Sequence, residues 1–338
     1  MVHPAATGVL VAVFIVGLVY ISFNNALDNA FVFDDHLAIT NNHDVKDPVG
    51  HNLWTDDIWG KELSAHDSHK SFRPLLIWLF RTLWFTSSEA RFFRQVSLGA
   101  HCVATWLFFH LTHMVWARLD ISIAAAIMFA VHPIHVESVA AVVNMAEAFS
   151  ACFILLSYML FLTSTNSAVT AKSGFGYWLC ELCKVVVWML LVVLAALFKE
   201  TGITACLLVV AKTAMDAVIY LISSKLTAKP HHTGRNTDSN APKAPVVAVY
   251  TLYTATSLFL TYLYLAGRTL MTSPHRAGIL SSTLSILYNL LLKPILEKGE
   301  SYLDSSQLLR KAENPFAKLA GAEKVYSTMV SCGCVGIV

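Results

Sequence analysis

Between Gly8 and Ala266 the chain returns repeatedly to long apolar runs with almost no charge, at 8–23, 95–116, 121–131, 136–162, 177–198, 203–223 and 246–266. A helix needs about 20 such residues to cross the hydrocarbon of a bilayer. Inside that hydrocarbon only a helix or a closed barrel satisfies its own backbone. The runs are continuous rather than alternating, which reads as helix. The chain is therefore expected to be an all-α polytopic membrane protein. Only 14% of its 338 residues are charged, well below the roughly 25% usual for soluble domains. With 24 Lys and Arg against 22 Asp and Glu, no basic surface exists to suit a nucleic acid, and that class of partner is excluded.

The first run lacks a basic flank and is read as an anchor rather than a cleaved leader. From Asn24 to Arg94 the composition turns polar, while Trp54, Trp59, Phe72, Trp78, Trp84 and Phe85 recur through it. A loop this long and this aromatic is expected to be folded, functional and close to the interface. The stretch 223–245 carries Lys225, Lys229, Arg235 and Lys243, which places it in the cytosol by the positive-inside rule. Counting spans from there puts 24–94, 132–137, 198–203 and Arg268 together on the opposite membrane face. The parity holds only if the short run at 121–131 crosses completely.

Several polar clusters lie on that face. Asp34 and Asp35 follow the first span between Phe31, Phe33 and His36. Two adjacent, poorly solvated carboxylates repel each other, so at least one pKa should rise, as suits a general base. Helix capping or interfacial polarity would use the same residues. Ser68-His69-Lys70-Ser71-Phe72-Arg73-Pro74 is a basic cluster suited to a phosphate or to pairing with the aspartates, whereas Asp56-Asp57-Ile58-Trp59-Gly60 reads as structural. In His132-Pro133-Ile134-His135-Val136-Glu137 the histidines lie one turn apart. With no third spaced ligand, hydrogen bonding to a polar substrate is favoured over metal. Glu147 sits ten residues into the next apolar run, where an ionisable group is costly and marks either function or polar helix packing. Lys199-Glu200-Thr201-Gly202 joins two apolar helices, with Gly202 expected to ease the turn. The seven cysteines form no disulfide framework, Cys180-x-x-Cys183 lacks a second ligand pair, and no metal site is expected.

Taken together, the motifs resemble the transmembrane O-mannosyltransferases targeting cadherins, membrane glycosyltransferases of the GT-C type. The residues that carry the resemblance are Phe33-Asp34-Asp35 with Ala38-Ile39 and Asn42, Asp57-Ile58-Trp59-Gly60, and Ser68 to Leu75. They continue through His132 to Val139, Lys199 to Thr204, Gly267-Arg268 and Glu313-Asn314-Pro315. The resemblance implies a GT-C-like bundle of about seven to nine transmembrane helices with a luminal first loop, in the endoplasmic reticulum membrane. It also implies transfer of mannose from dolichyl phosphate mannose to Ser or Thr hydroxyls of luminal proteins, cadherins among them. In that reading Asp34 is the catalytic base and Asp35 supports it. Arg268, Lys199, Lys70 and Arg73 face the donor phosphate, and Glu200, His132, His135, Glu137 and Glu147 contact substrate. Membrane lipids surround the bundle, and metal dependence stays open.

The organisation expected is one membrane domain: a first helix at 8–23, a catalytic loop at 24–94, a bundle at 95–266, a luminal loop at 267–325 and the start of a further span at 326–338. Two departures from the family stand out. Asn144-Met145-Ala146-Glu147 keeps an acid but lacks the usual arginine. The 34-residue tetratricopeptide repeat is not seen, so a truncated or divergent form is expected, and the segment 280–292 has no assigned place. A transporter would carry charges in mid-span or paired broken helices, whereas these clusters sit at helix ends. An inactive relative acting as a scaffold remains the alternative.

Overall fold

A computed structural model describes residues 4–46, 53–63, 65–170, 174–227 and 244–272. Expectations for 280–292, Glu313-Asn314-Pro315, 326–338 and most of the basic stretch after Thr227 lie outside these residues. Ten α-helices follow in chain order: α1 (Pro4–Phe23), α2 (His43–Lys46), α3 (Pro74–Thr86), α4 (Ala90–Trp116), α5 (Leu119–Val131), α6 (Val136–Ala140), α7 (Met145–Thr170), α8 (Phe175–Phe198), α9 (Thr204–Thr227) and α10 (Ala244–Thr272). Among the described residues there is no strand, only an isolated antiparallel bridge between Asp56 and Glu62. The chain is an all-α polytopic membrane protein. Four segments are long and apolar enough to cross a bilayer, Val142–Val169, Phe175–Phe198, Glu200–Ile222 and Pro245–Arg268. A fifth is added if Leu119–Val131 and Pro133–Ala140, bent by 45°, form one span. These spans are counted among the described residues, whereas the seven to nine expected refer to the whole chain. Helix α4 has the length, at 27 residues, but carries Arg91, Arg94, Gln95 and three histidines.

The chain divides into two compact units, residues 1–160 with 186–205, and 161–185 with 206–338. In the first, α4 and α5 form a hairpin that turns at Ala117, whose backbone is left-handed (φ 51°) and whose N–H caps the carbonyl of His113 at 2.9 Å. Ile15, Val19 and Phe23 of α1 pack there with Leu98, Phe109, Ala126 and Ala130. The described residues of the 24–94 loop are folded, in keeping with its aromatic content. Ile39, Val45, Ile58, Leu76, Phe80 and Phe93 make a core with Val142, Val143, Met145 and Phe198. On α3, Leu76, Ile77, Phe80 and Leu83 are buried while Trp78 and Phe85 are exposed. A helix apolar on its outer side as well suits the edge of a bilayer.

The motif residues of the loop stitch it together. Asp57 accepts four hydrogen bonds, from the N–H groups of Trp59, Lys61 and His69 and from the Ser68 hydroxyl, at 2.7–3.1 Å. Asn42 donates through Nδ2 to the carbonyls of Ala38 and Ile58 at 3.1 and 3.0 Å and accepts from Asp44 N at 2.9 Å. The structural reading of the Asp57 segment is thus met by its hydrogen bonds.

Two expectations about helix extent are corrected. The run 136–162 is not one helix: α6 ends at Ala140, Ala141 is extended, and a 3₁₀ turn at Val142–Asn144 precedes α7. In addition, α7 continues to Thr170, beyond the expected end at Leu162. Its hydroxyls make that extension tolerable in an apolar setting, because Thr165 and Ser167 donate back to the carbonyls of Leu162 and Thr163.

In the second unit several polar groups of the described residues pair within the helices that carry them or across neighbours. Ser164 and Tyr253 share a hydrogen bond of 3.0 Å, and Tyr250 donates to Asp216 at 2.6 Å, where Lys212 also pairs. Lys184 meets Glu181 at 2.7 Å.

Between α8 and α9 the 3₁₀ turn Glu200–Ile203 begins with Gly202 N–H donating to the Lys199 carbonyl at 2.8 Å. Gly202 was expected to ease the turn by its backbone freedom. Close approach is the stronger requirement, since a Cβ there would lie 2.2 Å from the carbonyl carbon of Ala195. We predict that Gly202→Ala breaks this junction and lowers thermal stability and protease resistance of the purified protein. Gly99→Ala, inside α4 with nothing within 4 Å of the added Cβ, should be neutral or stabilising by up to about 1 kcal/mol.

Candidate active site

The two aspartates after α1 have opposite environments. Asp35 is buried to 1% exposure and accepts hydrogen bonds from Val32 N at 3.3 Å and Val143 N at 3.0 Å. Arg94, equally buried, brings its Nη2 to 3.8 Å of Asp35 Oδ2. The rest of that guanidinium holds main chain: Nε donates to Ala140 O at 3.0 Å, Nη2 to Ala30 O at 2.8 Å and Nη1 to Asn29 O. Burial pushes the Asp35 carboxyl above the usual aspartate range, against the pull of the two N–H groups and of Arg94. The expected rise in one pKa of the pair is thus found, with burial as its leading cause.

These bonds also explain the break between α6 and α7. The Ala140 carbonyl and the Val143 N–H, which a continuous helix would pair internally, go to Arg94 and Asp35 instead. Ser97 fastens the same segment through the Ser138 carbonyl at 2.9 Å.

Asp34 is exposed. It follows Phe33, which is 91% exposed and left-handed at φ 45°, a conformation that costs a non-glycine residue about 1–2 kcal/mol. The strained turn sends neighbouring carboxylates to different places, one into the fold and one to the surface. An exposed carboxylate on a clamped backbone can accept a proton from an incoming hydroxyl.

Other candidate residues are joined in pairs in the same unit. Arg73 Nε donates to Glu200 Oε2 at 2.9 Å, both side chains largely buried, while Glu200 Oε1 is buried with no partner among the described residues. Lys199 pairs with Glu147. The adjacent charges of Lys199 and Glu200 therefore reach to two different elements, the start of α7 and the residue before α3. The His135 ring packs 4.9 Å from that of His101 and 4.5 Å from Phe129, with His132 6.1 Å away. His132 Nδ1 accepts from Ile134 N at 3.2 Å, capping the turn. Glu137 is exposed. Lys70, left-handed at φ 61°, turns its ammonium to the carbonyls of Leu63 and Ala65 inside the loop. Arg268 belongs to the second unit, near the end of α10.

Arg94 was missed in the sequence. Its only signal is a position just before the apolar run 95–116, where with Arg91 it reads as the end of a polar loop.

The chain is 32% identical over 205 residues to the human protein O-mannosyl-transferase TMTC1, an alignment covering 60% of this chain and 23% of that protein. It is 34% identical over 216 residues to mouse protein O-mannosyl-transferase TMTC4, covering 56% and 27%, and 34% over 195 residues to the Drosophila melanogaster protein O-mannosyl-transferase Tmtc1, covering 56% and 21%. It thus spans about a quarter of the length of these curated relatives. No family model and no solved structure matches the chain.

The geometry separates a buried, clamped carboxylate from an exposed one. Asp35→Asn and Arg94→Gln should each cost about 3–5 kcal/mol of stability, the range for leaving one member of a buried pair uncompensated. The double variant should lose less than the sum, and Asp34→Asn should leave stability unchanged. Thermal unfolding of the four proteins in detergent measures all of these.

Proposed function

We propose that this chain is the membrane part of a protein O-mannosyltransferase that takes mannose from dolichyl phosphate mannose in the endoplasmic reticulum. The acceptors would be Ser or Thr hydroxyls of luminal proteins, cadherin-like domains among them. Similarity to proteins that carry the name protein O-mannosyl-transferase supports the reaction class. The observation that carries the assignment of roles is the exposed Asp34 beside the buried Asp35 clamp.

In this reading Asp34 takes the proton of the acceptor hydroxyl as its oxygen bonds to the anomeric carbon of mannose. The bond from that carbon to the phosphate oxygen breaks, and dolichyl phosphate leaves with the electron pair. A phosphate is already a good leaving group, so a base and a cationic cradle suffice. Asp35 and Arg94 hold the backbone on which Asp34 stands. Glu200 Oε1, buried and without a partner among the described residues, would accept a sugar hydroxyl while Oε2 stays on Arg73. His132, His135, Glu137 and the pair of Lys199 with Glu147 would complete the polar wall. Arg268 would meet the lipid phosphate, with Lys70 stabilising the loop. All of these clusters would lie on the luminal face, where the first loop meets the headgroups.

Asp34→Asn should lower mannose transfer in membranes supplied with labelled dolichyl phosphate mannose by at least about a hundredfold, the lower range for loss of a general base. Full activity in that variant would remove the assignment. Arg268→Lys should raise the apparent KM for the lipid donor more than that for the acceptor, because an ammonium cannot reproduce a bidentate guanidinium contact. Equal values for both variants of residue 268 would leave Arg268 as a headgroup anchor.

A further inference from the structure

Within the 24–94 loop a second polar cluster stands apart from the site described above. His43 Nε2 lies 3.3 Å from Asp44 Oδ1 and 3.6 Å from Asp56 Oδ2, and one ligand atom from each residue falls within 4.8 Å of the others. The two carboxylates come from different parts of the loop, α2 and the turn that forms the isolated bridge with Glu62. Both side chains are only 3% exposed, whereas that of His43 is 59% exposed.

Two buried carboxylates that face one another carry an electrostatic cost. Among the described residues His43 is the only ion-pair partner of either side chain. Arg81 directs its hydrogen bond to the main-chain carbonyl of Asp44 at 3.2 Å. Asp56 Oδ1 accepts one hydrogen bond, from the Thr55 hydroxyl at 3.0 Å, and its Oδ2 faces His43, whereas the neighbouring Asp57 accepts four. The imidazole is also held in place from one side. Gly60 (φ 74°) passes so close that a Cβ there would lie 3.1 Å from His43 Cε1 and Nδ1.

We propose that His43, Asp44 and Asp56 bind one divalent transition-metal ion of the zinc type, which ties α2 to the Asp56 turn. One imidazole nitrogen and two carboxylate oxygens form a donor set that Zn²⁺ accepts. With metal–ligand distances of about 2.0–2.2 Å, a tetrahedral site has ligand atoms roughly 3.3–3.6 Å apart, which is the spacing found from His43 to each aspartate. Water would supply the fourth ligand on the open side of His43. The ion offsets the repulsion between the carboxylates and replaces part of the helix and sheet that this loop lacks. The site does not depend on the mannosyltransferase reading.

The test uses the full chain purified in detergent, stripped with a chelator and equilibrated with Zn²⁺. A variant with Cys180, Cys183, Cys332 and Cys334 all replaced by Ser serves as the background, so that neither closely spaced thiol pair can hold zinc. We expect one equivalent of zinc by elemental analysis, protection of the 24–94 loop from protease on adding zinc, and loss of both in His43→Ala. His43 is the deciding position because its exposed side chain can be removed without opening the core, and Asp56→Asn should agree where it folds. Absence of a stoichiometric ion in that background would overturn the proposal. So would zinc binding that His43→Ala leaves unchanged.

Discussion

A single buried pair organises the candidate active site. Asp35 and Arg94 are each nearly inaccessible, and between them they bind main-chain groups of residues 29, 30, 32, 140 and 143. These groups come from the loop that follows the first helix, the aspartate turn and the break between α6 and α7. Bringing two ions out of water is costly, and their attraction offsets it only when the remaining donors and acceptors are satisfied. Here the main chain does that, so the three segments are fixed together or not at all.

The broken helix follows from this requirement. An apolar run such as 136–162 would pair all its backbone groups internally if left to itself. Diverting one carbonyl and one N–H to a buried ion pair compensates the break and lets non-helical backbone persist beside apolar helices. Glu147 begins the helix after that break, and Lys199, its partner, precedes the turn that Gly202 permits. Chemistry and helix interruption coincide because unsatisfied backbone is tolerated only where polar side chains meet it.

Neighbouring residues in this protein are divided between structure and surface. Asp35 supports while Asp34 is exposed, and Asp57 saturates its oxygens with donors while Asp56 faces His43 and Asp44. Lys199 and Glu200 join different partners. At two of these places the backbone does the turning, through the left-handed Phe33 and the extended Lys199.

The amino-acid order by itself determined the membrane class, the helical character and the presence of a folded aromatic loop, because charge-free runs of this length have few other solutions. It also marked the residues of the polar clusters, as charged and polar groups gathered at the ends of apolar runs. It did not decide which aspartate is buried, since both have the same composition of neighbours along the chain. Nor did it show that Arg94 belongs to them, 59 residues beyond Asp35, or that 136–162 must break. Those depend on hydrogen bonds between segments far apart in the chain, and only the tertiary structure brings such partners within reach of one another.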